Sequence, residues 1–140
     1  MNIRVYSFVA ATILLCGCKT AATGEDLSLA RMLAGQSAKQ GSELAKAVAE
    51  ADAHPLGSQK NPVRVSMPVG ERAYLGSLRC MQGSTPAFDR QGSGGAGPFG
   101  NIVDFYRVTC PGAEPLTVVM DMYHKDHVET RAVPGFTLAP

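Results

Sequence analysis

Two stretches of this chain carry the residue types that chemistry needs. Asp121-Met122-Tyr123-His124-Lys125-Asp126-His127-Val128-Glu129 places two histidines and three carboxylates within nine residues. Imidazole nitrogens and carboxylate oxygens are the usual ligands of zinc and related ions, and a histidine beside a carboxylate can serve as a general base. His124 and His127 would be the ligands or the base, with Asp121 or Asp126 in support. The spacing fits no strong metal motif: there is no His-Glu-x-x-His, and the two histidines are three apart where a strand pattern ends. On a strand, Asp121 and Tyr123 share one face while His124 takes the other. A solvated polar turn accounts for the same residues with fewer demands, so no metal ligand is assigned and no cofactor is expected.

The second stretch, Gln91 to Gly100, reads QGSGGAGPFG and contains Gly92-x-Gly94-x-x-Gly97. That spacing formally matches the dinucleotide fingerprint, which needs a strand running in and a helix running out. Here Pro98 stands where the helix should start and no βαβ unit surrounds the glycines. No Lys-Ser or Lys-Thr follows, so it is not a phosphate-binding P-loop. Ser93 is not in a Gly-x-Ser-x-Gly elbow, because residue 91 is Gln. A Ser–His–acid triad from Ser77 or Ser93 with His124 has no support in spacing. The segment reads as a flexible or tightly turning loop. If it has a function, it is a contact loop in which Phe88, Arg90, Phe99 and the backbone around Gly92, Gly94 and Gly97 grip a partner.

The elements that must position these residues come in two textures. From about Asp26 to Ala53 the chain is rich in Ala, Leu, Glu, Lys and Gln, all good helix formers, with Thr23 as a cap and Glu25 and Asp26 in the first turn. The 3-4 seam Leu27, Ala30, Ala34, Ser37, Gly41, Leu44, Val48, Ala51 is mostly small in volume, and Gly35 and Gly41 weaken the helix, so one or two helices are expected. They form either a spacer or a helix docked on the sheet. His54-Pro55-Leu56-Gly57 ends this pattern. Beyond Pro62 the period changes to two. Strands are expected at Val63–Met67, Ala73–Met81, Asn101–Cys110 and Leu116–Tyr123, with a turn at Pro68–Glu71. Pro111–Pro115 is a short turn, so the last two strands form an antiparallel hairpin. Val133-Pro134-Gly135-Phe136 adds an edge segment.

The chain has 140 residues with 45% hydrophobic and 18% charged content, which suits one globular domain rather than a disordered chain. No apolar run reaches the roughly 18–20 residues of a permanent spanning helix. Thirteen Lys plus Arg face twelve Asp plus Glu, and the cations are scattered singly, which argues against nucleic acid as a partner.

The N-terminus carries the most specific signal. Met1-Asn2-Ile3-Arg4 is followed by an apolar run from Val5 to Leu15 and then Leu15-Cys16-Gly17-Cys18. This resembles the signal peptide and lipobox of bacterial lipoproteins, over the first 18 residues only. Cys16 stands where Ala or Ser is commoner. The resemblance implies cleavage after Gly17 and lipid on Cys18, with two or three acyl chains giving a durable membrane anchor. Lys19, where Asp would commonly signal inner-membrane retention, points towards the outer membrane facing the periplasm. An uncleaved apolar anchor is the alternative, disfavoured by the short run.

On that reading Cys16 leaves and Cys18 is lipidated, so Cys80 and Cys110 remain and should pair in an oxidising periplasm. The bridge would close a loop of about 31 residues, worth about 3.5–4 kcal/mol in the chain-entropy model. Two buried free thiols or a partial metal site are the alternatives. If the second and third strands were hairpin neighbours, the two cysteines would lie too far apart, so a less direct strand order is expected. The resulting picture is an α+β or mainly β fold: leader 1–17, lipidated N-terminus and Ala-rich helical spacer 18–62, and a small antiparallel β domain 63–140 with one disulfide. The expected function is a non-enzymatic binding module held to the membrane through Cys18, with an envelope protein or cell-wall component as partner. An inhibitor or immunity-type lipoprotein acting through residues 91–100, and a metal-dependent hydrolase using His124 and His127, are the alternatives.

Overall fold

The computed structural model describes residues 24–140. The leader, Cys16, Cys18, Lys19 and the capping residue Thr23 lie outside the described residues, so export and lipidation rest on sequence alone. Two helices open the described chain. α1 (Gly24–Leu33) has Glu25 and Asp26 in its first turn and Arg31 in its last, the charge order a helix macrodipole favours. It stops at Gly35, whose φ of +70° permits a paired closure: Gly35 N–H donates to the Met32 carbonyl at 2.9 Å and Gln36 N–H to that of Arg31 at 2.8 Å. α2 (Gly41–Ala51) buries Ala47 and Ala51 against Phe99. Its small seam lets an aromatic ring approach closely, so α2 is docked, whereas α1 buries none of its residues.

The main sheet has four strands in the order β1-β5-β4-β3. β1 (Val63–Arg64) runs parallel to β5 (Leu116–Asp121), while β4 (Ile102–Thr109) is antiparallel to both β5 and β3 (Ala87–Ala96). A separate antiparallel ribbon joins β2 (Leu78–Cys80) to β6 (Phe136–Leu138). The architecture is α+β, and the β4–β5 hairpin and the C-terminal edge segment are both present.

Two expected elements are corrected. The turn at Pro68–Glu71 and most of the strand Ala73–Met81 are a helix, α3 (Met67–Ser77), with Pro68 in its first turn. Proline fits there because its missing N–H has no intrahelical partner in any case. Tyr74 and Leu78 sit four apart, a separation that lies on one face of a strand and equally on one face of a helix, which is why alternation misread them. Helix formation also shortens the strand expected at Val63–Met67 to two residues. The second correction is the glycine-rich loop. Residues 87–96 form β3, paired along β4 with register shifts between Arg90 and Gly92 and between Ser93 and Ala96.

The principal core lies between α3 and one face of the sheet, with Val63, Leu75, Leu78, Val108, Val118, Met120 and Val133 almost wholly removed from water. Cys80 and Cys110 are disulfide-bonded with Cα atoms 5.9 Å apart. The strand-order difficulty resolves because β2 pairs with β6, not with β4, leaving Cys80 free to meet the end of β4.

Candidate functional site

Of the three glycines of the fingerprint spacing, Gly92 serves the backbone conformation and Gly94 and Gly97 serve packing. Gly92 adopts φ +145° at the first register shift of β3. A Cβ on Gly94 would fall 2.2 Å from the Phe105 ring, and one on Gly97 would fall 2.5 Å from Val103 Cγ1. Gly94 and Gly97 therefore mark places where side chains of β4 crowd the backbone at the end of β3 and just beyond it. The contact residues grouped with it do not form a protruding loop. Phe99 is fully buried beneath α2, and Phe88 packs against the principal core. Arg90 clasps Asp104 with two bonds, Nε to Oδ2 at 2.8 Å and Nη2 to Oδ1 at 2.7 Å, with Ser93 Oγ donating to the same carboxylate.

The histidine cluster is divided. Asp121 is wholly buried, and Asn101 Nδ2 lies 3.1 and 2.9 Å from its two oxygens, with the Tyr123 N–H donating to Oδ1. His124, also buried, brings Nε2 to 3.3 Å from Asp121 Oδ2 while its ring stands edge-on to Phe99. Asn101 further accepts from the Ala38 N–H at 2.7 Å and reaches Ser37 Oγ. This knot ties the segment before α2, the loop before β4 and the end of β5 together. His127 stands apart, its ring centroid 6.4 Å from that of His124, and Asp126 is exposed with its N–H donating to Ser66 Oγ. Among the described residues no three of His, Cys, Asp and Glu are arranged to hold a metal ion. Ser77 and Ser93 donate to the Tyr74 carbonyl and to Asp104.

His127 belongs instead to an open groove of about 420 Å³ between α3 and residues 127–129. Val65, Val69, Ala73, Tyr74 and Val128 make its lining apolar, and Val69 and Val128 stand exposed at 66% and 77% on its lips. Tyr74 fixes the far wall: its hydroxyl donates to the Arg131 carbonyl at 3.0 Å and accepts from the Val133 N–H at 3.1 Å. At the polar end, burial pulls the Glu129 carboxyl upward, but hydrogen bonds from the Arg131 guanidinium and N–H outweigh it and hold it below its ordinary value. Burial, reinforced by the charge of Arg64, lowers the His127 imidazole, so it is uncharged at neutral pH. Its Nε2 is shielded from water, 3.9 Å from Glu129 Oε2, and has no hydrogen-bond partner among the described residues.

Behind the groove, on the opposite side of α3, sequence reasoning missed Glu71. It is 1% exposed, accepts from the Tyr106 hydroxyl at 2.9 Å through Oε2, and has no partner for Oε1 among the described residues. Burial, with the Asp104 carboxylate adding to it, lifts its pKa to about 7. The signal was present as a carboxylate on the seam Glu71, Leu75, Leu78, legible only once the segment is read as a helix.

No protein-family model, curated protein or solved structure matches this chain.

Proposed function

We propose that this protein is a non-enzymatic binding module of the bacterial envelope, lipid-anchored at Cys18, and that the groove between α3 and residues 127–129 seats its ligand. The observation that carries the reading is the groove itself. Small-ligand sites are typically apolar hollows of about 300–1,000 Å³ with a few convergent polar groups, and this one supplies apolar walls with His127 and Glu129 at its polar end. The anchor reading rests on the leader and the Leu15-Cys16-Gly17-Cys18 sequence. A module tethered to a membrane faces oxidising surroundings, and the Cys80–Cys110 bridge is the brace such surroundings allow.

The groove is tested with an apolar naphthylamine dye that brightens on leaving water. The full chain carrying Cys18→Ser should bind one dye per molecule. Ala73→Phe, at an exposed lining position, should abolish the signal while leaving the circular dichroism spectrum unchanged. Equal dye binding by both proteins would remove the groove from consideration. Intact mass measurement of protein extracted from its host's membranes tests the anchor: residues 18–140 plus acyl chains, less two hydrogens, is expected.

The inhibitor reading retains one supporting observation, the outer edge of β3, which pairs with no other strand among the described residues. Deleting Gly92–Gly97 would remove sheet structure rather than a loop, so surface substitutions such as Gln91→Glu are its proper test.

A further inference from the structure

Resting on the anchor at Cys18, we propose that α1 lies on the bilayer that holds that anchor, its outward leucines entering the boundary between lipid headgroups and acyl chains. The helix is turned inside out. At about 100° per residue, Leu29, Leu33, Ala30, Ala34 and Leu27 fall within about 160° of arc, and every one of them is exposed. Leu27, Leu29 and Leu33 stand 48%, 56% and 77% open. The opposite side carries Ser28, Arg31 and Met32, and these are the half-buried positions. A surface helix whose only neighbour is its own domain turns its apolar stripe inward. Here the polar side is fixed inward instead. Arg31 Nη1 donates to the Ala38 carbonyl at 3.1 Å, and Gly35, just past the helix, sits so near Met67 that a Cβ on it would fall 2.8 Å from Sδ.

The tether decides what covers the leucines. The six Cα steps from Cys18 to Gly24 reach at most about 22 Å when fully extended, so lipid on Cys18 keeps the start of α1 beside the bilayer whatever path the tether takes. Contact with lipid becomes an intramolecular event, which raises its occupancy without any added contact. The contact is apolar rather than electrostatic, since Glu25 and Asp26 outnumber Arg31 on this helix. Asp26 is the one charged residue within the arc. It lies in the first turn, nearest the tether, while Leu29 and Leu33 fill the later turns. A second copy is the poorer occupant: a stable pair buries about 800 Å² on each partner, more than three part-exposed leucines on a ten-residue helix offer. α1 is then the element by which the domain rests on the membrane, not a spacer that holds it away.

The chain has no tryptophan, so Leu33→Trp gives a single indole reporter. Glu114→Trp is the control, in the turn at the opposite end of β4 from Asn101, whose side chain bonds the Ala38 N–H. Each variant is purified in lipidated form from host membranes, checked by intact mass, and reconstituted in phosphatidylcholine vesicles with or without bromine on the acyl chains. An interfacial helix buries its apolar face about 5–10 Å into the headgroup–acyl boundary, so Leu33→Trp should emit to the blue and lose about half its emission or more to the brominated lipid. Glu114→Trp should lose little. Adding Leu27→Ser and Leu29→Ser should return the Leu33→Trp signal to that of the control, with the circular dichroism spectrum unchanged. Equal, weak quenching of the two reporters in acylated protein would overturn the docking while the anchor stands. A blue emission that bromine does not quench, and that shifts red as protein is diluted in the vesicles, would make a second copy the occupant and overturn it too. An unacylated mass would remove the anchor reading and the docking with it.

Discussion

Glu71 makes stability depend on pH in a direction opposite to that of most carboxylates. Its folded pKa of about 7 exceeds the ordinary 4.5, so the folded protein holds this proton where the unfolded chain has lost it. The contribution is therefore greatest below pH 4.5 and declines as pH rises through about 7. The slope is about 1.4 kcal/mol per pH unit, accumulating to about 3 kcal/mol. Glu71→Gln removes the ionisation and keeps an oxygen for the Tyr106 hydroxyl. It also puts an amide NH₂ where Oε1 now lacks a partner, a cost of about 1–3 kcal/mol at every pH. The variant should be less stable than wild type at pH 5 and as stable or more stable at pH 8, the difference swinging by about 3 kcal/mol. His127 and Glu129, both held below their ordinary values, lose stability as pH falls, but they occur in both proteins and cancel. Urea denaturation followed by far-ultraviolet circular dichroism at pH 5, 6, 7 and 8 measures the swing. A difference constant within about 0.5 kcal/mol across that range would refute the assignment.

Other expectations follow from single contacts. Cys110→Ser should lower unfolding free energy by about 3–4 kcal/mol, and reduction of wild type by dithiothreitol should reproduce the loss in the same urea assay. Asn101→Ala strips the buried Asp121 carboxylate of its side-chain amide donor and should cost about 2–3 kcal/mol, with faster amide exchange in the segment around Ser37 and Ala38. Gly94→Ala forces the Phe105 ring to move and should cost about 1–3 kcal/mol, read as a lowered melting temperature. A nucleotide-binding role for these glycines would instead make the loss one of ligand affinity at unchanged stability.

Legibility in the sequence followed the locality of the interaction. The β4–β5 hairpin was readable because Pro111–Pro115 and the flanking β-branched residues act within a few positions of one another. The disulfide was readable by counting cysteines, with Cys16 and Cys18 set aside on the expectation of a lipoprotein leader. α3 was not, since Tyr74 and Leu78 satisfy both periods and Pro68 was taken as a turn former rather than a first-turn helical residue. β3 was missed for a different reason. Its glycines lower intrinsic strand propensity, and the compensation comes from Phe105 and Val103 on a strand more than five residues away in sequence. For the site, the histidine segment stands out in the sequence, but only folding separates His124, drawn to Asp121, from His127, turned towards α3. Glu71 was invisible for as long as its helix was.

The register shifts in β3 have a bearing on how copies of this protein behave when crowded together. β3 forms the open border of the main sheet, ten residues long and mostly exposed, and such a border is a template for strands from other molecules. A regular, flat strand there would invite copies to join edge to edge into continuous sheets. Two irregularities within that length, with Gly92 and Gly95 at positive φ, break the even ladder of outward amides and carbonyls. The glycine-rich run that contains the fingerprint spacing thus gives the protein a border that other strands cannot easily extend, a safeguard against self-association.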